Sequence, residues 1–205
     1  SIDRISGASA TESGVQSVTI TIVDDDIPSI TLSSSTASVI ENSGTTVTLT
    51  ATSSQAAYED IVITLSSTGT ATNGSDYSSL GGETITISAG TTTGTISGTP
   101  SDDSIYEDDE VATIAISTVS GGSAIESGTQ SVSITIVENE SAPVITLSTS
   151  NSTTVAENAT SSDDIYLTAT SSVAADEDII VTLSTSGTAT DQIDYSISSG
   201  AAVGG

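Results

Sequence analysis

The sequence has no cysteine, histidine, methionine, tryptophan or phenylalanine, and its single basic residue is Arg4. Without histidine and cysteine the chain cannot build a Cys- or His-ligated zinc site, a haem ligand, a thiol nucleophile or a Ser-His-Asp triad. The lack of cysteine also removes the evidence on cellular compartment that disulfides would give. These absences exclude the enzyme classes that depend on such groups.

Positive charge is almost absent, since 27 Asp or Glu residues stand against one Arg and the net charge is −26 over 205 residues. Such a chain repels nucleic-acid phosphates and anionic membrane surfaces, and one Arg cannot form a basic groove. The sequence contains no apolar run of about 18 residues. We therefore expect no nucleic-acid partner and no membrane insertion. What is abundant is carboxylate, the hard oxygen ligand that Ca²⁺ prefers.

Aromatic residues are limited to five tyrosines. Paired carboxylates can hydrolyse glycosidic bonds, but that chemistry also needs a cleft that binds sugar. Because such clefts use aromatic platforms, the shortage of aromatics argues against a glycosidase. We predict that the protein is not an enzyme.

Apolar residues alternate with hydroxyl residues along several segments. In 46–52, Val, Leu and Ala alternate with Thr, and in 131–136, Val and Ile alternate with Ser and Thr. A period of two places apolar side chains on one face of a β-strand. Turn residues divide the central part of the chain into seven predicted strands, near 29–33, 45–52, 60–66, 83–88, 93–98, 110–118 and 130–138. The pattern predicts an all-β immunoglobulin-like antiparallel sandwich.

The sequence repeats itself at an interval of one such sandwich. Residues 13–23 recur at 127–137, residues 30–33 at 145–148, and residues 69–72 at 187–190, so the repeat is about 114–118 residues long. We predict tandem sandwiches of seven strands each. Residues 1–26 are predicted to be the C-terminal part of a preceding repeat, 27–140 a complete repeat, and 141–205 the N-terminal part of a following one.

Three motifs of the complete repeat carry a family resemblance. They are Gly-Thr-Ala-Thr-Asn-Gly-Ser-Asp-Tyr at 69–77, Gly-Gly-Glu-Thr-Ile-Thr-Ile-Ser-Ala-Gly at 81–90, and Asp-Asp-Ser-Ile-Tyr-Glu-Asp-Asp-Glu at 102–110. Together they resemble the Calx-beta domain, a family found in the calcium-sensing cytoplasmic loop of sodium–calcium exchangers, in integrin subunits and in large bacterial surface proteins. The resemblance spans the complete repeat and both partial ones.

The resemblance implies a calcium site. In Calx-beta domains that bind calcium, carboxylates from loops at one end of the sandwich hold several ions. Carried over to this sequence, the candidate ligands are Glu41, Asp76, Asp102, Asp103, Glu107, Glu110, Glu138 and Glu140. The sequence departs from the family pattern at Ser104, which replaces a third Asp, and at 138–140, where Glu-Asn-Glu replaces a run of aspartates. Asp60, which precedes a predicted strand, is interpreted as a turn residue.

The expected function is a calcium-binding structural segment of an extracellular stalk, fibre or adhesin at a cell surface, in which Ca²⁺ rigidifies the domains and joints. Its expected partners are calcium ions, neighbouring repeats of the same chain, and other copies in a fibre or surface layer. The alternative is a calcium-sensing regulatory domain of a membrane transporter. A third hypothesis is direct adhesion to protein or glycan through the loops at one pole.

Overall fold

The computed structural model describes residues 1–23, 25–80, 82–149, 154–155, 165–191 and 193–197. Its strands are β1 (Ser29–Ser34), β2 (Ser38–Ile40), β3 (Val47–Ser53), β4 (Ile61–Gly69), β5 (Thr84–Ile87), β6 (Thr93–Gly98), β7 (Ile105–Tyr106), β8 (Glu110–Ser120), β9 (Ile125–Glu126), β10 (Ser131–Val137), β11 (Ile145–Thr149), β12 (Leu167–Ser171) and β13 (Ala174–Ala175). Within these ranges the only helical element is a 3₁₀ turn at Glu41–Ser43. The all-β prediction is confirmed.

Two sheets form a sandwich between residues 29 and 137. One has the strand order β6-β3-β1-β9 and the other the order β2-β10-β8-β4-β5. The inward faces carry the predicted alternation, for example Val47, Leu49 and Ala51 on β3, all of which are buried. Opposite them lie buried isoleucines of the second sheet, including Ile63 and Ile114. The hydroxyl residues between them face outward, as a half-buried pleated strand requires.

The number of strands differs from the prediction. Each of the seven predicted strands is present within a few residues, but the sandwich contains nine because β2 and β9 join its sheets. Both additional strands pair in parallel, β2 with β10 and β9 with β1. They are three and two residues long, too short to show an alternating pattern in the sequence.

The loop between β4 and β5 depends on a glycine. Gly69, the last residue of β4, has a φ of +122°, and a Cβ there would lie 2.0 Å from the carbonyl oxygen of Val111. Only glycine permits this backbone conformation and this close approach. The loop that follows carries Asp76, so Gly69 helps to set the position of that carboxylate.

The segment after residue 140 repeats local features of the sandwich. The β11–β12 pair has the same register as the β1–β3 pair, since Ile145 faces Ser171 as Ile30 faces Ser53. Further along, Thr190 donates its backbone N–H to the Asp194 carboxylate over 2.7 Å. The predicted partial repeat 141–205 also includes residues outside the described ranges.

The described residues before Ser29 form no strand, and their isoleucine and valine side chains, such as Ile22, are exposed. In residues 127–137, the matching part of the complete repeat, the equivalent side chains Ile134 and Ile136 are buried in β10. No helix among the described residues is long and apolar enough to cross a membrane.

Candidate metal centre

Acidic side chains from four parts of the chain meet at one pole of the sandwich. Their carboxylate oxygens form two sets of three, and within each set all three oxygens lie within 4.8 Å of one another. We call Glu41, Glu138 and Glu140 the first acidic group. We call Asp76, Glu107 and Glu110 the second acidic group. Six of the eight predicted ligands therefore belong to one or the other of these two compact groups.

Glu41 is the most buried member of the first acidic group, with 7% of its surface exposed. It begins the 3₁₀ turn after β2, and its Oε1 accepts a hydrogen bond of 3.2 Å from the backbone N–H of Asp103. Burial is the main cause that raises the pKa of Glu41 to about 7. The hydrogen bond from Asp103 opposes this rise, whereas the negative charge of Glu138 adds to it.

Glu138 follows β10 and is held by backbone donors. Its Oε1 accepts hydrogen bonds from the backbone N–H groups of Asn139, over 2.6 Å, and Glu140, over 2.7 Å. Burial acts to raise the pKa of Glu138, but the hydrogen bonds from the backbone prevail and the pKa is lowered. The chain thus keeps one carboxylate of this group in its charged form.

Glu140 completes the first acidic group with an unsatisfied oxygen. Its Oε1 accepts a hydrogen bond of 2.8 Å from the Asn139 side-chain amide, while its Oε2 is buried and has no hydrogen-bond partner among the described residues. A hydrogen bond shared with the Glu138 carboxylate, which requires that Glu140 binds a proton, is the largest cause that raises the pKa of Glu140. A buried oxygen without a donor is costly unless a proton or a cation satisfies it.

The second acidic group joins the β4–β5 loop to the 101–110 segment. Asp76 is fixed by its own loop, since its Oδ2 accepts a hydrogen bond of 2.6 Å from the Thr72 N–H. Burial, followed by a hydrogen bond and charge repulsion from Asp76, raises the pKa of Glu110 to about 7. Burial is also the largest cause of the raised pKa of Glu107, and the charge of Asp76 is the next.

The two acidic groups are linked through the backbone. The N–H of Glu107 donates a hydrogen bond to the Glu138 carboxylate, and the N–H of Glu138 donates one of 3.0 Å to Asp109 Oδ1. A change of charge or position at Glu138 therefore affects both groups.

The structure places the two remaining predicted ligands outside both groups. Asp102 and Asp103 are exposed, and the Asp103 carboxylate accepts a hydrogen bond of 2.7 Å from the N–H of Ile105. Asp103 contributes its backbone N–H to the pole rather than an oxygen of either set. As the sequence suggested, Asp60 supports a turn, since its Oδ1 accepts a 2.8 Å hydrogen bond from the Ala89 N–H.

Sequence reasoning missed two residues that organise the pole. Asp109 binds the Glu138 N–H, and Asn139 Oδ1 accepts a 3.1 Å hydrogen bond from the N–H of Asn42. Both residues lie within the acidic runs that the sequence shows, but their roles depend on loops that meet only in the fold. Their positions beside predicted ligands were the one available signal.

The chemistry of the pole favours a hard cation. Two carboxylates about 5 Å apart repel each other by about 3 kcal/mol at an effective dielectric constant near 20. The sequence has a single basic residue, Arg4, to set against 27 acids. All six group members offer carboxylate oxygens, the ligand type of Ca²⁺, which accepts six to eight oxygens in irregular geometry. Mg²⁺ demands a near-ideal octahedron and fits such a set less well.

Three solved structures resemble parts of this chain. The crystal structure of CBD12 from CALX1.2 has 18% sequence identity and a TM-score of 0.44, covering 53% of this chain and 43% of that one. The apo-form Calx CBD1 domain has 19% identity and a TM-score of 0.42, covering 54% of this chain and 98% of that one. The calcium binding domain CBD12 of CALX1.1 has 18% identity and a TM-score of 0.43, with coverages of 54% and 46%. The chain thus spans less than half the length of each CBD12 protein.

No curated protein matches the sequence. A family model does, because the model of the Calx-beta domain aligns with residues 23–140, which is more than half of the chain and includes both acidic groups and the whole sandwich. The chain therefore belongs to the Calx-beta domain family.

Proposed function

We propose that the protein binds Ca²⁺ at the acidic pole and serves as a structural segment of an extracellular stalk, fibre or adhesin. The observation that carries the calcium assignment is the pair of three-carboxylate groups, one of which contains the buried, donorless Oε2 of Glu140. Ca²⁺ supplies the positive charge that the sequence lacks. Glu41, Glu138 and Glu140 would hold one ion, and Asp76, Glu107 and Glu110 another.

The stalk role is supported by the position of the acidic pole within the chain. Glu138 and Glu140 immediately precede the connection that leads to β11. β11 then pairs with β12 in the same register as β1 pairs with β3. Tandem units joined directly at a cation site would gain stiffness from the ion, because carboxylates at the connection that hold a common ion restrict its movement. Pro143 restricts φ within the same short connection. Other copies in a fibre or surface layer would be further partners.

Force spectroscopy on the 205-residue chain tests the mechanical role. We expect the sandwich of residues 29–137 to unfold at a higher force in millimolar Ca²⁺ than in chelator. The double variant E41Q/E110Q, which removes one charge from each acidic group, should show little or no rise in unfolding force when Ca²⁺ is added. Equal unfolding forces for the unaltered chain with and without Ca²⁺ would overturn the structural role.

A further inference from the structure

The segment after the complete sandwich adds a strand to the acidic pole. Strand β13 pairs in parallel with β7, so that Ala174 lies opposite Ile105 and Ala175 opposite Tyr106. The pairing continues one residue further, because the N–H of Asp176 donates a hydrogen bond of 3.2 Å to the Tyr106 carbonyl oxygen. β7 belongs to neither sheet of the sandwich and directly precedes Glu107.

A cleft of about 260 Å³ lies where the two parts of the chain meet. The sandwich unit contributes Tyr106 and Asp108 to its walls. The following segment contributes the apolar residues Pro143, Ile145 and Ile179 together with the acids at 176–178. The strand pairing and its last hydrogen bond hold the backbone of Asp176 at the edge of this cleft.

This contact brings another negative charge to the second acidic group. β13 ends at Ala175 and β7 at Tyr106, so the parallel pairing of these strands brings Asp176 and Glu107 to the same end of the contact. The negative charge of Asp176 acts on both Glu107 and Glu110. Asp176 is not among the three residues whose oxygens lie within 4.8 Å of one another, and it is exposed. The strand pairing thus holds Asp176 near the second acidic group against the repulsion between their negative charges. A cation bound there would attract all of these carboxylates.

We propose that Asp176 supplies a fourth carboxylate to the cation held by Asp76, Glu107 and Glu110, so that one ion joins the sandwich to the segment that follows it. This inference rests on the proposed calcium binding at the second acidic group. Loss of the ion would leave four carboxylates facing one another across the contact, and the contact would open. Cation binding and the angle between the two parts are then coupled, each favouring the other.

The complete sandwich shows that this carboxylate is not a fixed feature of the loop. The same loop precedes β4, where Gln-Ala-Ala-Tyr-Glu-Asp at 55–60 corresponds to Val-Ala-Ala-Asp-Glu-Asp at 173–178. Tyr58 stands at the position of Asp176, and its side chain is 100% exposed. A tyrosine offers no carboxylate. The 55–60 loop therefore could not supply the bridging ligand that Asp176 supplies in the segment after the sandwich.

The test uses D176N in the full chain, with E177Q as a control that removes one negative charge from the neighbouring residue. Calcium binding is measured by isothermal titration calorimetry. We expect D176N to weaken one class of calcium site by about tenfold or more, since loss even of a residue that only supports a metal ligand typically costs about 10- to 100-fold in affinity. E177Q should change that affinity by no more than about twofold, as is usual for an exposed charge.

A distance measurement reports the joint separately from the affinity. Because the sequence contains no cysteine, spin labels can be attached at T92C in the sandwich and T182C in the following segment, both of which are exposed sites. With saturating Ca²⁺ we expect a narrow distance distribution for the unaltered loop and for E177Q, and a broad one for D176N. Chelator should broaden all three.

The outcomes separate this inference from the proposed function. If D176N binds calcium and holds its distance as E177Q does, the bridging role of Asp176 is overturned while calcium binding at the pole stands. If the unaltered chain takes up no calcium, the proposed function fails and the bridging role fails with it.

Discussion

The backbone N–H of Glu107 donates a hydrogen bond to the side chain of Glu138, which lies 31 residues further along the chain. Glu107 belongs to the second acidic group and Glu138 to the first, so this contact makes the two groups a single unit. The loop before β8 and the end of β10 cannot move independently while it is present.

Replacing Glu138 should therefore weaken calcium binding at both groups. We expect E138Q to lower the affinity of both classes of site, one of them by about tenfold or more because a ligand charge is lost. The matched control is E83Q, since Glu83 is an exposed acid that belongs to neither group. Calorimetric titration of both variants gives the comparison, and an unchanged second site in E138Q would contradict the coupling.

Removing calcium should lower the stability of the sandwich. One site stabilises the folded state by about 2.7 kcal/mol when the calcium concentration is 100 times its Kd. For a domain of this size that corresponds to a rise in Tm of about 10 °C or more. Differential scanning calorimetry in millimolar Ca²⁺ and in chelator measures the shift. The same Tm in both conditions would be inconsistent with cation-dependent folding stability.

Asp103 and Asp60 should differ in their effects on calcium affinity. D103A removes a side chain that fixes the loop over Glu41, since the Asp103 carboxylate accepts the Ile105 N–H. D60A removes the acceptor for Ala89 and should cost about 1 kcal/mol of stability, as a lost hydrogen bond does, without altering calcium affinity. We expect D103A to weaken calcium binding clearly more than D60A does. Equal calcium affinities in the two variants would show that Asp103 has no role at the pole.

The calcium-free protein should lose stability as the pH rises. The pKa values of Glu41 and Glu110 are about 7 in the folded state, above the ordinary value of 4.5, so folding favours their protonated forms. Their contribution is fully present below pH 4.5 and is lost as the pH rises through 7. The lowered pKa of Glu138 acts in the opposite direction, but only below pH 4.5.

Urea unfolding in calcium-free buffer at pH 5 and pH 8 measures this dependence. We expect the free energy of unfolding to be smaller at pH 8, and the difference to shrink in E41Q/E110Q, which cannot bind those two protons. A larger free energy of unfolding at pH 8 in the unaltered chain would contradict the raised pKa values.

Two glycines of one loop give a test of the fold around Asp76. G69A places a Cβ 2.0 Å from a backbone oxygen at a φ of +122°. In G74A the φ is +97°, but the Cβ meets no atom within 4 Å. We expect a loss of about 1–3 kcal/mol for G74A, from backbone strain alone, and more than about 4 kcal/mol for G69A. Chemical unfolding of both variants measures the loss in the free energy of unfolding. Equal losses would show that the close approach is relieved by movement of β8.

Most of the fold could be predicted from local patterns. The alternation in β3 and β10 was visible in the sequence because one face of each strand is buried and the other is not. β2 and β9 could not be predicted in this way, since two or three residues carry no period and their pairing is set by distant strands. The parallel β7–β13 pairing joins residues about 70 positions apart and left no local signal either.

The candidate site was predictable in composition but not in arrangement. The family resemblance pointed to all six members of the two acidic groups, yet nothing in the sequence divided them into two sets. Asp103 matched the motif, but in the structure its backbone contacts Glu41 while its carboxylate caps the next turn. Asp176 has no counterpart in the motif, because its position depends on how the following segment packs.

The most direct test of the central claim is the location of bound calcium. Crystals of the chain grown with Ca²⁺ and measured at long wavelength give anomalous difference peaks at calcium positions. The account predicts at least one peak among Glu41, Glu138 and Glu140, and at least one among Asp76, Glu107 and Glu110. Well-ordered density for these side chains with no anomalous peak at either group would contradict it.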